Sequence, residues 1–215
     1  MSLHSISIMR SNLFIAFEGI DGSGKSTQVQ LLTQKLEAEG HKVYSTFEPT
    51  ASPIGKMIRG IFSHQMKADH YTIAGLFLAD RLNHILNEED GLLKKLNEGY
   101  TVITDRYYFS SYAYHGAHVP MNWVIESNAM CAQLLRPDVT IYVDISPEVS
   151  MERLRNGRES LELFETLENQ RKVYEKYAEA FELLKSEETI FSINGNRSVD
   201  EVAADVWSEI QKILR

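Results

Sequence analysis

The chain has 215 residues, 43% of them hydrophobic and 24% charged, the composition of one globular domain with a sizeable core, which excludes a disordered or collagen-like chain. With 22 basic against 30 acidic residues the net charge is −8, which argues against a general nucleic-acid or anionic-membrane surface and confines any anion site to a local cluster. The single cysteine, Cys131, cannot close an intrachain disulfide or build a cysteine-based zinc site; it fits a reducing cytosol and reads as a buried, inert thiol.

Residues 1–12 (MSLHSISIMRSN) carry no long apolar stretch or convincing cleavage site, and no apolar run approaches the roughly 20 residues that cross a bilayer. The expectation is a cytoplasmic protein without a membrane partner, residues 1–12 forming a flexible leader or tag and 13–215 a single domain. Five segments rich in β-branched and aromatic residues follow: Leu13–Glu18, Lys42–Phe47, Tyr100–Asp105, Val139–Ile145 and Thr189–Ile193. Helical spacing fills the gaps between them. The first helix is predicted from Gly24 to Glu39, with Val29, Leu32 and Leu36 on one face and Gly40 as its stop. Residues 48–99 hold at least two further helical patterns, including Tyr71, Ala74, Phe77, Leu78, Arg81 and Ile85, a stretch long enough to cover a ligand. Near-continuous apolar strands such as LFIAF and VTIYV predict an α/β fold whose five-stranded parallel sheet is flanked by helices on both faces.

Directly after the first strand stands Gly19-Ile20-Asp21-Gly22-Ser23-Gly24-Lys25-Ser26-Thr27, the G-x-x-x-x-G-K-[ST] phosphate loop in its strand-to-helix setting. Glycines allow backbone N–H groups to face phosphate oxygens, the helix N-terminus adds positive potential, Lys25 brings a cation to the β- and γ-phosphates, and Ser26 is the Mg²⁺ ligand. That loop is common to switches, motors and kinases, so the second substrate must be read elsewhere.

With FEGIDGSGKST at the loop, FLADR at 77–81 and DRYYFSSYAYHGA at 105–117, the chain resembles the thymidylate kinases from Phe14 to its last helix. The resemblance implies a P-loop kinase fold, ATP as phosphate donor, Mg²⁺, and phosphorylation of dTMP to dTDP in the supply of dTTP for DNA synthesis. It also implies a homodimer. Asp105 and Arg106 end a central strand, where open α/β sheets bind ligands. The family's arginine there grips the acceptor phosphate, which assigns that role to Arg106. Asp105 either organises Mg²⁺ through water or orients Arg106. Phe77 and Arg81, four apart on a helix, share a face and by resemblance stack on and read the thymine. Ser110, Ser111, Tyr114 and His115 lie in the segment used beside base and sugar, with Tyr114 closing the space of a ribose 2′-hydroxyl. Where bacterial members carry glutamine, this chain has His115.

Asp21 resembles the family's acid near the acceptor 3′-hydroxyl, and Glu48 in Phe47-Glu48-Pro49 the glutamate of its R-E-P motif, with Phe47 replacing the arginine. Arg59 matches a phosphate-binding arginine. Gly22 occupies the loop position where some members place a catalytic arginine, which puts this chain with the bacterial type that supplies it from a lid. Residues 153–165 are that lid: Arg153 resembles the residue packed on adenine, and Arg158, rather than Arg155, is taken as the one meeting the transferring phosphate. Leu163 departs from the family's arginine in the following run. Asn196, after the last strand, resembles the adenine-side loop, and Ser198 reads as a helix N-cap. Two other readings compete: a kinase for a different nucleoside monophosphate, since one methyl group discriminates by only about 1–3 kcal/mol, and a P-loop switch. The switch would lack an acceptor pocket, and as a guanine switch it would need an N-K-x-D motif, which the sequence does not contain.

Overall fold

A computed structural model describes residues 12–157 and 166–214. Arg158 and most of the leader and lid segments therefore lie outside the described residues. The five strands are β1 (Phe14–Glu18), β2 (Val43–Phe47), β3 (Thr101–Asp105), β4 (Val139–Asp144) and β5 (Ile190–Asn194), all parallel in the order β2-β3-β1-β4-β5. Each begins and ends within a residue of its predicted limits. Around them are α1 (Lys25–Ala38), α2 (Pro53–Phe62), α3 (His70–Leu86), α4 (Leu92–Asn97), α5 (Tyr108–Gly116), α6 (Met121–Leu134), α7 (Pro147–Gly157), α8 (Leu167–Leu184) and α9 (Val199–Gln211). Among the described residues no helix is long and apolar enough to cross a membrane.

Strand alternation divides the core in two. On β1, Phe14 and Ala16 face one way, joining Val102, Tyr107, Tyr112, Val173 and Tyr177; Ile15 and Phe17 face the other, against Val29, Leu32 and Leu36 of α1 and Val202, Val206 and Ile210 of α9. A strand buried on both faces has no polar alternation, which is why LFIAF is continuous. Burying one such side chain contributes roughly 1.5–3 kcal/mol. Cys131 is fully buried on the first side, and burial pushes its thiol up to about 11. Helix ends are fixed by side chains: Ser198 and Glu201 form a reciprocal capping box on α9, and Ser52 caps α2 by accepting from Gly55 N.

Register aligns the strand ends. Phe17 and Phe47 both pair with Asp105, and Asp144 with Asn194. The loops leaving β1, β2, β3 and β5 thus share one edge of the sheet, at the point where the chain's path diverges on either side of β1, as open α/β sheets require of a ligand site.

Candidate active site

The phosphate loop turns from β1 into α1. Gly24, at φ +96°, is the N-cap of α1, a left-handed conformation that costs any other residue strain. Lys25 is 5% exposed, and its Nζ donates to Ile20 O at 3.0 Å. Burial, reinforced by the nearby charge of Arg106, pushes its ammonium down to about 8. Ser26 and Thr27 are exposed at the mouth of the loop. The Ser26 hydroxyl donates to Asp105 Oδ2 at 2.5 Å, whereas Asp105 Oδ1 and Ser23 Oγ are buried with no hydrogen-bond partner among the described residues. An anionic oxygen buried without a donor is costly unless a cation or water reaches it.

Arg106 and Asp21 close the other side of the loop. Arg106 has φ +76°, rare for a side-chain-bearing residue. Its Nη1 donates to Gly19 O at 3.2 Å and Ser110 Oγ at 3.0 Å, and its Nη2 to Asp21 Oδ1 at 2.5 Å, while the guanidinium lies 4.9 Å from the Tyr114 ring centre. Tyr114 donates its phenol to Asp21 Oδ2 at 2.8 Å. Burial works to raise the Asp21 carboxyl, but the charges of Arg106 and Lys25 prevail and hold it below the usual aspartate range.

Beyond this pair opens a cavity of about 250 Å³ lined by Asp21, Arg106, Ser110, Ser111, Tyr114 and His115 on one side and by Phe47, Pro49, Arg59, Phe62 and Phe77 on the other. The Phe77 and His115 rings are 4.9 Å apart. His115 Nε2 is buried without a partner among the described residues, and burial, with the charge of Arg81 behind it, pushes the imidazole down to about 3, so the ring is neutral at physiological pH. Phe77 and Arg81, predicted as a pair, part company. Arg81 is 1% exposed and absent from the lining; its three nitrogens donate to Glu48 Oε2, Ser111 Oγ, Asn128 Oδ1 and Tyr107 O, and Nη2 also lies 2.7 Å from Glu48 Oε2. Glu48 stands behind the wall with it, its other oxygen 3.1 Å from His84 Nδ1.

On the loop's outer side Arg153 Nη2 donates to Gly195 O at 2.9 Å, and Nη1 reaches Ser23 O at 3.4 Å, tying α7 to the phosphate loop and the β5–α9 turn. Asn196 is exposed in that turn, its N–H donating to Asn194 Oδ1. Arg155 is exposed near the end of α7.

Three site residues escaped the sequence. Glu18 is fully buried beneath the loop, where it accepts from Tyr107 N, Ser110 N, Ser110 Oγ and Tyr177 Oη; burial nonetheless pushes its carboxyl up. A carboxylate ending an apolar strand was the available signal. Tyr177, on α8, shares a face with Val173 and Ala180 and reads only as core. Gln170, one turn into α8, directs Nε2 to Asp21 Oδ2 at 3.4 Å and leaves its buried Oε1 without a partner among the described residues.

A phosphate cradle and a second pocket that share one Asp–Arg pair define a P-loop phosphotransferase with a small acceptor. A family model described as thymidylate kinase matches residues 17–206. A probable thymidylate kinase of Pyrobaculum aerophilum is 39% identical over 203 residues, covering 94% of this chain and 98% of its own. One from Pyrococcus horikoshii is 36% identical (94% and 97%), and the thymidylate kinase of Thermosipho africanus 34% (94% and 100%). The chain belongs to the thymidylate kinase family.

Proposed function

We propose that the protein transfers the γ-phosphoryl group of ATP to a phosphate oxygen of dTMP, forming the new P–O bond as the β–γ bridge breaks and releasing ADP and dTDP. The observation that carries this reading is the Asp21–Arg106 pair, which is common to the donor cradle and the acceptor pocket. Transfer needs no covalent help from the protein, so positioning and charge neutralisation supply the acceleration. Lys25 meets the donor phosphates, while Arg106 and Arg59 meet the acceptor phosphate. Ser26 Oγ and the partnerless Asp105 Oδ1 are hard oxygen donors of the kind Mg²⁺ takes, directly or through water. Bound there, Mg²⁺ would offset charge on the donor phosphates.

Base selection rests on α5. Ser111 Oγ accepts from Arg81, which leaves its own proton for a base carbonyl, and His115 Nε2, one turn along, is a neutral second contact. Thymine's imide edge offers both carbonyls and an N–H. Phe77 supplies the stacking face, while Asp21, Tyr114 and the free Oε1 of Gln170 surround the sugar. Arg153 and Asn196 take the adenine side. Residues 153–165 are assigned as the lid with Arg158 as its acting guanidinium; a Cβ on Gly22 (φ +74°) would lie 3.0 Å from Ser150 O and 3.3 Å from Leu154 Cγ, which favours an arginine supplied from outside the loop. A single catalytic domain, a cytoplasmic setting and a homodimer, for which Tyr71 of α3 and Trp123 and Met130 of α6 leave large apolar side chains exposed, belong to the same proposal; light scattering at the mass of one chain would remove the dimer.

The test is coupled ADP release with ATP and Mg²⁺ against dTMP, dUMP, dCMP, UMP, CMP, AMP and GMP, with a no-acceptor control. Release with dTMP well above the rest is expected. Preference for another monophosphate would overturn the acceptor assignment, and acceptor-independent release would favour a switch or simple ATPase.

A further inference from the structure

One buried acid has no part in the chemistry described. Asp80 of α3 is 1% exposed, and no cationic side chain among the described residues pairs with it. Its carboxylate is spent on a single short stretch: Oδ2 accepts from Thr50 N at 2.6 Å, and Oδ1 from Thr50 Oγ1 at 2.6 Å and Ser52 Oγ at 2.7 Å. Three hydrogen bonds to a buried anion are strong and directional.

That stretch is where α2 begins. Ser52 caps α2, and Gly55 sits so closely over Thr50 that a Cβ there would fall 1.9 Å from Thr50 O. Arg59 lies one turn farther along α2, and its Nη1 folds back to Pro49 O at 2.8 Å. Both the helix that carries Arg59 and the carbonyl that holds its tip are therefore referenced to residues 49–52. The adjoining residue, Glu48, is held by Arg81, the neighbour of Asp80 on α3, so the connector is pinned on either side of Pro49.

We infer that Asp80 is a positioning residue for the acceptor phosphate: by fixing Thr50 and Ser52 from α3 it sets where the Arg59 guanidinium stands in the pocket. The inference rests on the dTMP kinase reading, in which Arg59 meets that phosphate. Asp80→Asn turns one accepting oxygen into a donor facing donors, which should let the connector and Arg59 shift.

The distinguishing experiment is binding of two ligands to the full chain, dTMP and thymidine, which differ by the phosphate alone. Asp80→Asn should weaken dTMP about tenfold or more while thymidine changes by less than about twofold, because misplacement is confined to the phosphate contact. The KM for ATP should stay unchanged, and Asp80→Asn should add nothing further to the dTMP loss of Arg59→Ala. Thr50→Val, a milder change that removes one hydroxyl, should show the same ligand ratio in smaller measure and decides the matter where Asp80→Asn does not fold. Equal weakening of both ligands, or full additivity with Arg59→Ala, would overturn the inference. A wild-type chain that transfers no phosphate to dTMP would overturn the underlying reading, and this inference with it.

Discussion

Lys25 in the phosphate loop and Arg81 on α3 are both buried cations, 5% and 1% exposed, yet their surroundings differ in kind. Arg81 donates to protein through all three of its nitrogens and has a carboxylate beside it. Lys25 donates to one backbone carbonyl, and burial lowers its ammonium rather than a partner raising it. The same contrast separates Asp105, with one oxygen buried and unmet, from Asp80, with both oxygens engaged. An unmet buried polar group costs about 1–3 kcal/mol, and those that line the crevice, Asp105 Oδ1 among them, are ones a ligand would complete. Arg81 and Asp80, engaged by protein and lying behind the pocket wall, belong to the scaffold. The dividing line runs between the crevice at the strand ends and the clamp of α3 behind the acceptor wall.

The largest effect is expected where the scaffold is broken. Arg81→Met strands Glu48 in the interior and should cost about 3–5 kcal/mol in urea unfolding. A variant with an unchanged midpoint that has lost dTMP binding would move Arg81 to the ligand side of the line. Lys25→Met removes a cation that has no acidic partner in hydrogen-bonding range among the described residues. Turnover should fall about 10²–10³-fold, with dTMP affinity intact and an unfolding midpoint no lower than wild type. A midpoint that drops as far as that of Arg81→Met would erase the contrast. Smaller again is Gln170→Ala: the loss of a sugar contact should raise the KM for dTMP about tenfold, without altering the KM for ATP. An equal rise in both would place Gln170 in the scaffold beside Tyr177.

How much of this was legible in the sequence follows from distance along the chain. The cradle is nine consecutive residues, Gly19–Thr27, and its glycines and lysine are needed by local geometry alone, so it could be read directly. The strands were legible because a sheet covered on both faces demands unbroken apolar runs, as in LFIAF. The acceptor pocket draws on five separated segments and was reachable only through resemblance, which carried Phe77, Arg59, Tyr114 and Arg106 to the crevice but not the fate of Arg81. Helical spacing puts Arg81 on a face with Phe77; it says nothing of Glu48, Asn128 and Ser111 converging from three other segments. The bond from Tyr177 to Glu18 spans 159 residues, and a tyrosine at i+4 from a core valine carries no mark of it.

His115 offers the finest test, because it pairs an unmet nitrogen with a scaffold consequence. Burial, then the charge of Arg81, pushes its imidazole from 6.5 down to about 3. The unfolded chain takes up that proton near its ordinary value, and the folded chain does not. The stability tied to a neutral His115 is therefore complete above about pH 6.5 and is lost as pH falls from there toward 3, with a slope of at most about 1.4 kcal/mol per pH unit. His115→Gln removes the titration while keeping a hydrogen-bonding side chain. The wild-type minus variant difference in unfolding free energy should be flat above pH 7 and decline by on the order of 2 kcal/mol between pH 6.5 and 5. Parallel curves would mean the imidazole protonates within the fold. A ring that stays neutral also keeps Nε2 in one protonation state from pH 6 to 8, so the preference for dTMP over dCMP should not vary across that range. A preference that changes with pH would tie base choice to the proton on His115, and the histidine in place of the family's glutamine would then make selectivity depend on pH.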